Sequence, residues 1–159
     1  MRKICAFFGH REIPENLAPQ LQAAIRRAIC EFGITEFWDG GYGQFDNLAA
    51  ETVAQLKEEY PHIILRLIRA YPPKYSGTPT PFDSSHCPSF LDQFPGKWRI
   101  PRRNLYMAEQ CDLAICYVTH AESTIHEPLD HIFKEKPIIN LGDYQAREPI
   151  SPFFYGGSD

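Results

Sequence analysis

The sequence predicts a three-layer α/β sandwich, with a mostly parallel sheet and helices on both faces. Three observations predict it. Apolar runs of strand length alternate with stretches of helical periodicity, the runs are continuous as in strands buried on both sides, and glycine or proline closes several of the segments.

Lys3 to Phe8 carries the run ICAFF and stops at Gly9, which predicts a buried first strand. Leu17, Leu21, Ala24, Ile25, Ala28, Ile29 and Phe32 then recur at spacings of three and four, with Arg26, Arg27 and Glu31 between them and Gly33 as a C-terminal stop. An amphipathic helix follows from that. Ile34 to Trp38 predicts a second strand, leading into Asp39-Gly40-Gly41-Tyr42-Gly43, and Leu48, Ala49, Thr52, Val53, Leu56 and Tyr60 resume helical spacing until Pro61. Ile63 to Ile68, rich in branched residues, is the third strand.

From Tyr71 to Pro101 the periodicity fails, and seven of the 14 prolines fall there. A long loop or flap over 71–101 is expected. Phe82, Phe90, Leu91, Phe94 and Trp98 either close it over a site or patch the core. Pro101 to Gln110 then reads as a short helix, Leu113 to Val118 as a strand, Thr124 to Lys134 as a helix and Pro137 to Leu141 as a last strand. No internal repeat or second core is visible, so 1–159 is expected to be one domain.

Composition narrows the function classes. With 43% hydrophobic, 23% charged and 13% aromatic residues, the chain of 159 residues is globular and not disordered. The longest apolar run is interrupted by Arg66, far short of the roughly 20 residues a bilayer span needs, so no membrane partner is expected. The apolar stretch after the basic start is too short for a signal-peptide core, and a cytoplasmic protein is expected. Five cysteines without a C-x-x-C pair fit neither a disulfide framework nor a zinc site. His126 and His131 are five apart with Pro128 between them, so neither a metal nor another cofactor is expected. Net charge of -4 provides no global positive field and argues against nucleic acid as a partner.

Residues with chemistry converge on strand ends, where ligands of open parallel sheets collect. In W-D-G-G-Y-G-Q-F-D, the glycines Gly40, Gly41 and Gly43 lie between strand and helix, where backbone N–H groups can approach a phosphate at the positive helix end. The alternative is a tight turn with Asp46 capping the helix. The spacing matches neither G-x-G-x-x-G nor the Walker pattern. Gly9-His10-Arg11 ends the first strand: His10 is placed to bond a base or sugar and Arg11 a phosphate, or else His10 caps the strand and Arg11 is a solvated charge. Arg102-Arg103-Asn104 follows Lys97-Trp98-Arg99, and an arginine at a helix start opposes the macrodipole, which favours an anionic ligand. Thr124 and Glu127 have capping-box spacing, while Glu127 is equally a carboxylate able to stabilise positive charge on a sugar ring.

Together these motifs resemble the SLOG superfamily, the Rossmann-like group joining the LOG phosphoribohydrolases, the DNA-processing protein A family and bacterial nucleotide-binding proteins. The resemblance covers residues 3–141 and is closest to the bacterial branch with GHR, GGxxxFD and RNxxM motifs. They stand here as Gly9-His10-Arg11, Gly40-Gly41-Tyr42-Gly43-Gln44-Phe45-Asp46 followed by Ala49-Ala50-Glu51, and Arg103-Asn104-Leu105-Tyr106-Met107. Gln44 replaces the last loop glycine. The second phosphate loop of LOG enzymes aligns with Thr119 to Glu127, keeping Thr124 and Glu127 but none of the glycines, and adding Glu122. The resemblance implies a Rossmann-like fold and binding or sensing of a nucleotide or phosphoribosyl-type ligand, with Gly9, His10, Arg11, Gly40, Gly41, Gly43, Asp46, Arg103, Asn104 and Thr124 around it. As alternatives it implies cleavage of the N-glycosidic bond of a nucleoside monophosphate through Arg103 and Glu127, or single-stranded nucleic-acid binding through Lys97, Trp98, Arg99, Arg102 and Arg103. LOG-like relatives also imply a possible homodimer.

Overall fold

The computed structural model describes residues 1–120 and 126–143, and of residues 126, 127 and 133 only the backbone. Six strands form one parallel sheet among the described residues: β1 (Ile4–Gly9), β2 (Glu36–Asp39), β3 (Ile64–Ile68), β4 (Ser84–His86), β5 (Leu113–Tyr117) and β6 (Ile138–Asn140). Their spatial order is β4-β3-β2-β1-β5-β6. The α-helices are α1 (Ala18–Phe32), α2 (Gln44–Leu56), α3 (Gly96–Gln110) and α4 (His126–Glu135). The fold is a Rossmann-like three-layer sandwich.

The pleat of β1 separates the two cores. Cys5 and Phe7 face α1 and α2, packing with Leu21, Ile25, Phe45 and Val53. Ile4, Ala6 and Phe8 face the opposite layer, with Met107 and Ala108 of α3 and Leu129 and Ile132 of α4. A strand buried on both faces has no polar side to alternate with, which is why its sequence is an unbroken apolar run. Gly33, at φ +68°, ends α1 in the left-handed conformation that a residue with a Cβ resists.

Two stretches differ from the sequence expectation. α2 begins at Gln44, four residues before the apolar spacing resumes, because Gly43 turns the chain at φ +96° and its carbonyl accepts from Asn47 N–H at 3.1 Å. The segment 71–101 is not all loop. It contains β4, a 3-10 turn at Ser89–Gln93 and the first turn of α3, so Pro101 lies inside a helix it was expected to open. Edge strand β4 is three polar residues held by the backbone of β3, Arg69 N–H donating to His86 O at 2.7 Å, and no side-chain pattern announces it. α4 is described from His126, and the expected start at Thr124 lies outside the described residues.

Because successive strands run outward in both directions from β1, the order reverses between β1 and β5. The carboxyl ends of β1, β2, β3 and β5 therefore share one rim.

Candidate functional site

The rim is divided by the glycine loop. Asp39 ends β2, is fully buried, and accepts the Gly41 N–H at 2.7 Å. Asp46, in the first turn of α2, reaches back to accept the Tyr42 N–H at 3.1 Å, tying down the loop. Arg103 enters from α3 with 3% of its surface exposed; its Nη1 donates to Gly40 O at 2.9 Å and to Ile68 O at 2.8 Å, and its Nε to Asn104 Oδ1 at 2.8 Å. Two carboxyl groups and one guanidinium thus meet beneath the loop. Burial first, and Asp46 second, hold Asp39 well above the usual carboxylate range, against the Gly41 N–H and Arg103. Burial likewise pushes Asp46 up to about 7, against Arg103 and the Tyr42 N–H. Asp39 Oδ2 is buried without a hydrogen-bond partner.

Contact requires glycine at two rim positions. A Cβ on Gly40 would lie 2.9 Å from the Arg103 guanidinium carbon, and one on Gly43 would lie 2.9 Å from Arg11 Cα, at a φ that already disfavours it. On the outer side, Arg11 lies over the Tyr42 ring at 4.7 Å and donates to its hydroxyl.

A cleft of about 320 Å³ opens above the ends of β2 and β3, lined by Gly40, Gly41, Tyr42, Arg69, Tyr71, Lys74 and Arg103 among others. Tyr71 is positioned as a wall: its hydroxyl donates to Gly96 O at 2.8 Å and its ring lies under Arg99 at 5.6 Å. Arg69 lies just past the end of β3, with its Nε buried and unpartnered. Neither Arg69 nor Lys74 has an ion-pair partner among the described residues.

A second cleft, about 740 Å³, lies over the ends of β1 and β5 and is lined by His10, Arg11, Glu12, Tyr117, Thr119 and His120. His10 is 5% exposed, its Nε2 accepts the Thr119 N–H at 2.9 Å, and its ring stacks on His120 at 4.1 Å. This bond fastens the chain after β1 to the chain after β5.

The structure thus brings Gly40, Gly41 and Arg103 to one cleft and His10 and Arg11 to the other, with Gly43 against Arg11. Asp46 and Asn104 lie behind the loop, 7% exposed each, and Gly9 packs on Phe45. Thr124 lies outside the described residues, as does the side chain of Glu127. Sequence reasoning missed Asp39, Arg69, Tyr71 and Lys74. The signal for Arg69 was its place immediately after an apolar parallel strand; Lys74 and Tyr71 were visible only as members of the proline-rich segment.

No protein-family model and no curated protein sequence matches this chain. Solved structures share its fold. DNA processing protein A (DprA) from Streptococcus pneumoniae is 12% identical, with a TM-score of 0.59 over 98% of this chain and 55% of its own. DNA processing protein A from Helicobacter pylori, described for a unique single-stranded DNA binding mode, is 17% identical, with a TM-score of 0.58 over 92% of this chain and 67% of its own. The molybdenum cofactor carrier protein from Chlamydomonas reinhardtii is 12% identical, with a TM-score of 0.59 over 99% of this chain and 86% of its own. The chain spans little more than half the length of the S. pneumoniae protein. At these identities the likeness shows the fold alone and does not reach a branch or its motifs.

One expectation is corrected. Net acidity was a ground for dismissing nucleic acid as a partner, yet the fold is shared with a protein described for single-stranded DNA binding. Total charge averages over the surface, whereas Arg69 and Lys74 line one cleft together with exposed Tyr71. Among the described residues, no helix is long and apolar enough to cross a membrane.

Proposed function

We propose that the chain belongs with the SLOG proteins and binds a nucleotide or phosphoribosyl-type ligand in the cleft over β2 and β3, with Arg69 and Lys74 as its countercharge. The observation that carries this reading is that Arg69 and Lys74 both line the cleft, neither with an ion-pair partner among the described residues. An anionic ligand gives these two cations charge-assisted hydrogen bonds that they otherwise make only with water. Tyr71 offers a ring face to a base, and Gly40 and Gly41 let the ligand approach the backbone closely. The loop itself is a poor phosphate cradle, since the Gly41 and Tyr42 amides are engaged by Asp39 and Asp46 and two carboxyl groups lie behind it. Binding is favoured over N-glycosidic cleavage because three of the Arg103 donor contacts are to protein oxygens.

Titration calorimetry with AMP, ADP and ribose 5-phosphate tests the reading. Binding of at least one, weakened about tenfold or more in Arg69→Ala and in Lys74→Ala, is expected. No heat from any of the three, with the protein folded, overturns it.

A further inference from the structure

The cleft over β2 and β3 does not end at its cations. A second depression of about 360 Å³ adjoins it, and Arg69, Pro73 and Lys74 line both. Arg69 and Lys74, without ion-pair partners among the described residues, therefore stand on a ridge between two lobes. Their walls differ in chemistry. On one side are Tyr42, Tyr71 and Leu67, faces for an aromatic ring. On the other are the hydroxyls of Ser76 and Thr78, with Gly77 between them at φ +103° turning the chain around the hollow, and exposed Tyr75 and Pro79 complete that wall.

We infer that this cleft takes a pyrophosphate-bridged nucleotide conjugate, its bridge on Arg69 and Lys74, its base against Tyr71, and a hydroxyl-rich group such as a sugar beside Ser76 and Thr78. The inference rests on the proposed reading of the cleft and adds to it the ligand class. A nucleoside monophosphate fills one lobe and meets the ridge with a single phosphate, leaving the outer depression to water. A bridge carrying two charges engages both cations, and a polar group beyond it is the only part long enough to reach the second lobe. Pro72 and Pro73 restrict the backbone of the ridge, so the lobes keep their separation without the ligand having to order them.

The test is calorimetry with ADP against ADP-glucose and UDP against UDP-glucose, on the wild type and on the double variant Ser76→Ala/Thr78→Ala. Each sugar conjugate is expected to bind about tenfold tighter than its diphosphate, the size of one to two net hydrogen bonds. The double variant is expected to lose that increment and keep its affinity for ADP and UDP. Both residues are exposed and outside helices and strands, so folding is not at stake. Equal affinity for a diphosphate and its conjugate overturns the inference while leaving the cleft a nucleotide site. So does a double variant that weakens both alike. If no diphosphate or conjugate binds, the reading of the cleft falls, and this inference with it.

Discussion

Arg103 donates from one nitrogen to the carbonyl oxygens of Gly40 and Ile68, at 2.9 and 2.8 Å, so a single side chain of α3 fastens the ends of β2 and β3. The same guanidinium is the counterion of the Asp39 and Asp46 carboxyl groups. Burial lowers its pKa, and the two aspartates act in the opposite direction.

Replacing it separates a structural from a ligand-binding role. Arg103→Met removes the donor from the Gly40 and Ile68 carbonyls and the cation beside the Asp39 and Asp46 carboxyl groups, which is expected to cost about 2–4 kcal/mol. Arg103→Lys keeps the charge but not the fork, and an intermediate loss is expected. Urea unfolding measures both. Stability within about 0.5 kcal/mol of the wild type for Arg103→Met would mean the cluster rearranges freely.

The carboxyl pair makes stability depend on pH in a definite direction. Asp46 titrates at about 7 in the fold, whereas an unfolded aspartate titrates at about 3.9. Between these values the folded chain holds a proton that the unfolded chain has released. The stabilisation from this group is therefore complete below about pH 4 and is lost as pH rises through 7. Asp46→Asn removes the titration and retains an oxygen for the Tyr42 N–H. The difference in urea midpoint between variant and wild type is expected to move in the variant's favour from pH 5 to pH 8. Parallel pH curves would place the buried proton elsewhere.

Gly9 marks where the first strand and α2 approach most closely. A Cβ there would lie 2.3 Å from Phe45 Cγ and 2.6 Å from Phe45 Cβ, too close for a ring swing alone to relieve. Gly9→Ala is expected to cost about 1–3 kcal/mol by overpacking. Gly96→Ala is the control, since a Cβ there meets nothing within 4 Å. Thermal unfolding of the pair distinguishes them, and equal melting temperatures would show that Phe45 has room to move.

The order of strands and helices was legible because parallel strands buried on both faces must be written in apolar residues, as Ile4 to Phe8 and Leu113 to Cys116 are. α1 was legible for the complementary reason, its one-sided apolar stripe ending at Gly33. β4 was not, because an edge of Ser84, Ser85 and His86 is held by backbone hydrogen bonds that any sequence can supply. The start of α3 was displaced by Pro101, a residue that more often opens a helix than sits in its sixth position. Within the site, the glycines and Arg103 announced themselves by type and spacing. Asp39 did not: its importance comes from full burial beside Asp46, and burial of a strand-end residue depends on which helix covers it. Arg69 and Lys74 are ordinary surface types in sequence, and only the path of the chain after β3 brings them to one ridge.

Arg69 and Arg99 border the same segment and are expected to behave oppositely. Arg99 is 8% exposed, and its donors reach Ala70 O at 2.6 Å, Leu91 O at 2.8 Å and the Asp92 carboxylate at 3.5 Å. It clasps the chain after β3 to the 3-10 turn. Arg99→Ala leaves two carbonyls unsatisfied, and a loss of about 2–4 kcal/mol is expected, with ligand affinity falling as the Tyr71 wall loosens. Arg69 makes no such bonds, and its buried Nε is a cost in the unliganded protein. Arg69→Ala is therefore expected to leave stability within about 0.5 kcal/mol of the wild type, or to raise it, while binding is lost. Chemical unfolding and calorimetry on the same preparations read both quantities. A destabilisation by Arg69→Ala as large as that of Arg99→Ala would make Arg69 part of the scaffold and remove the cation on which the cleft depends.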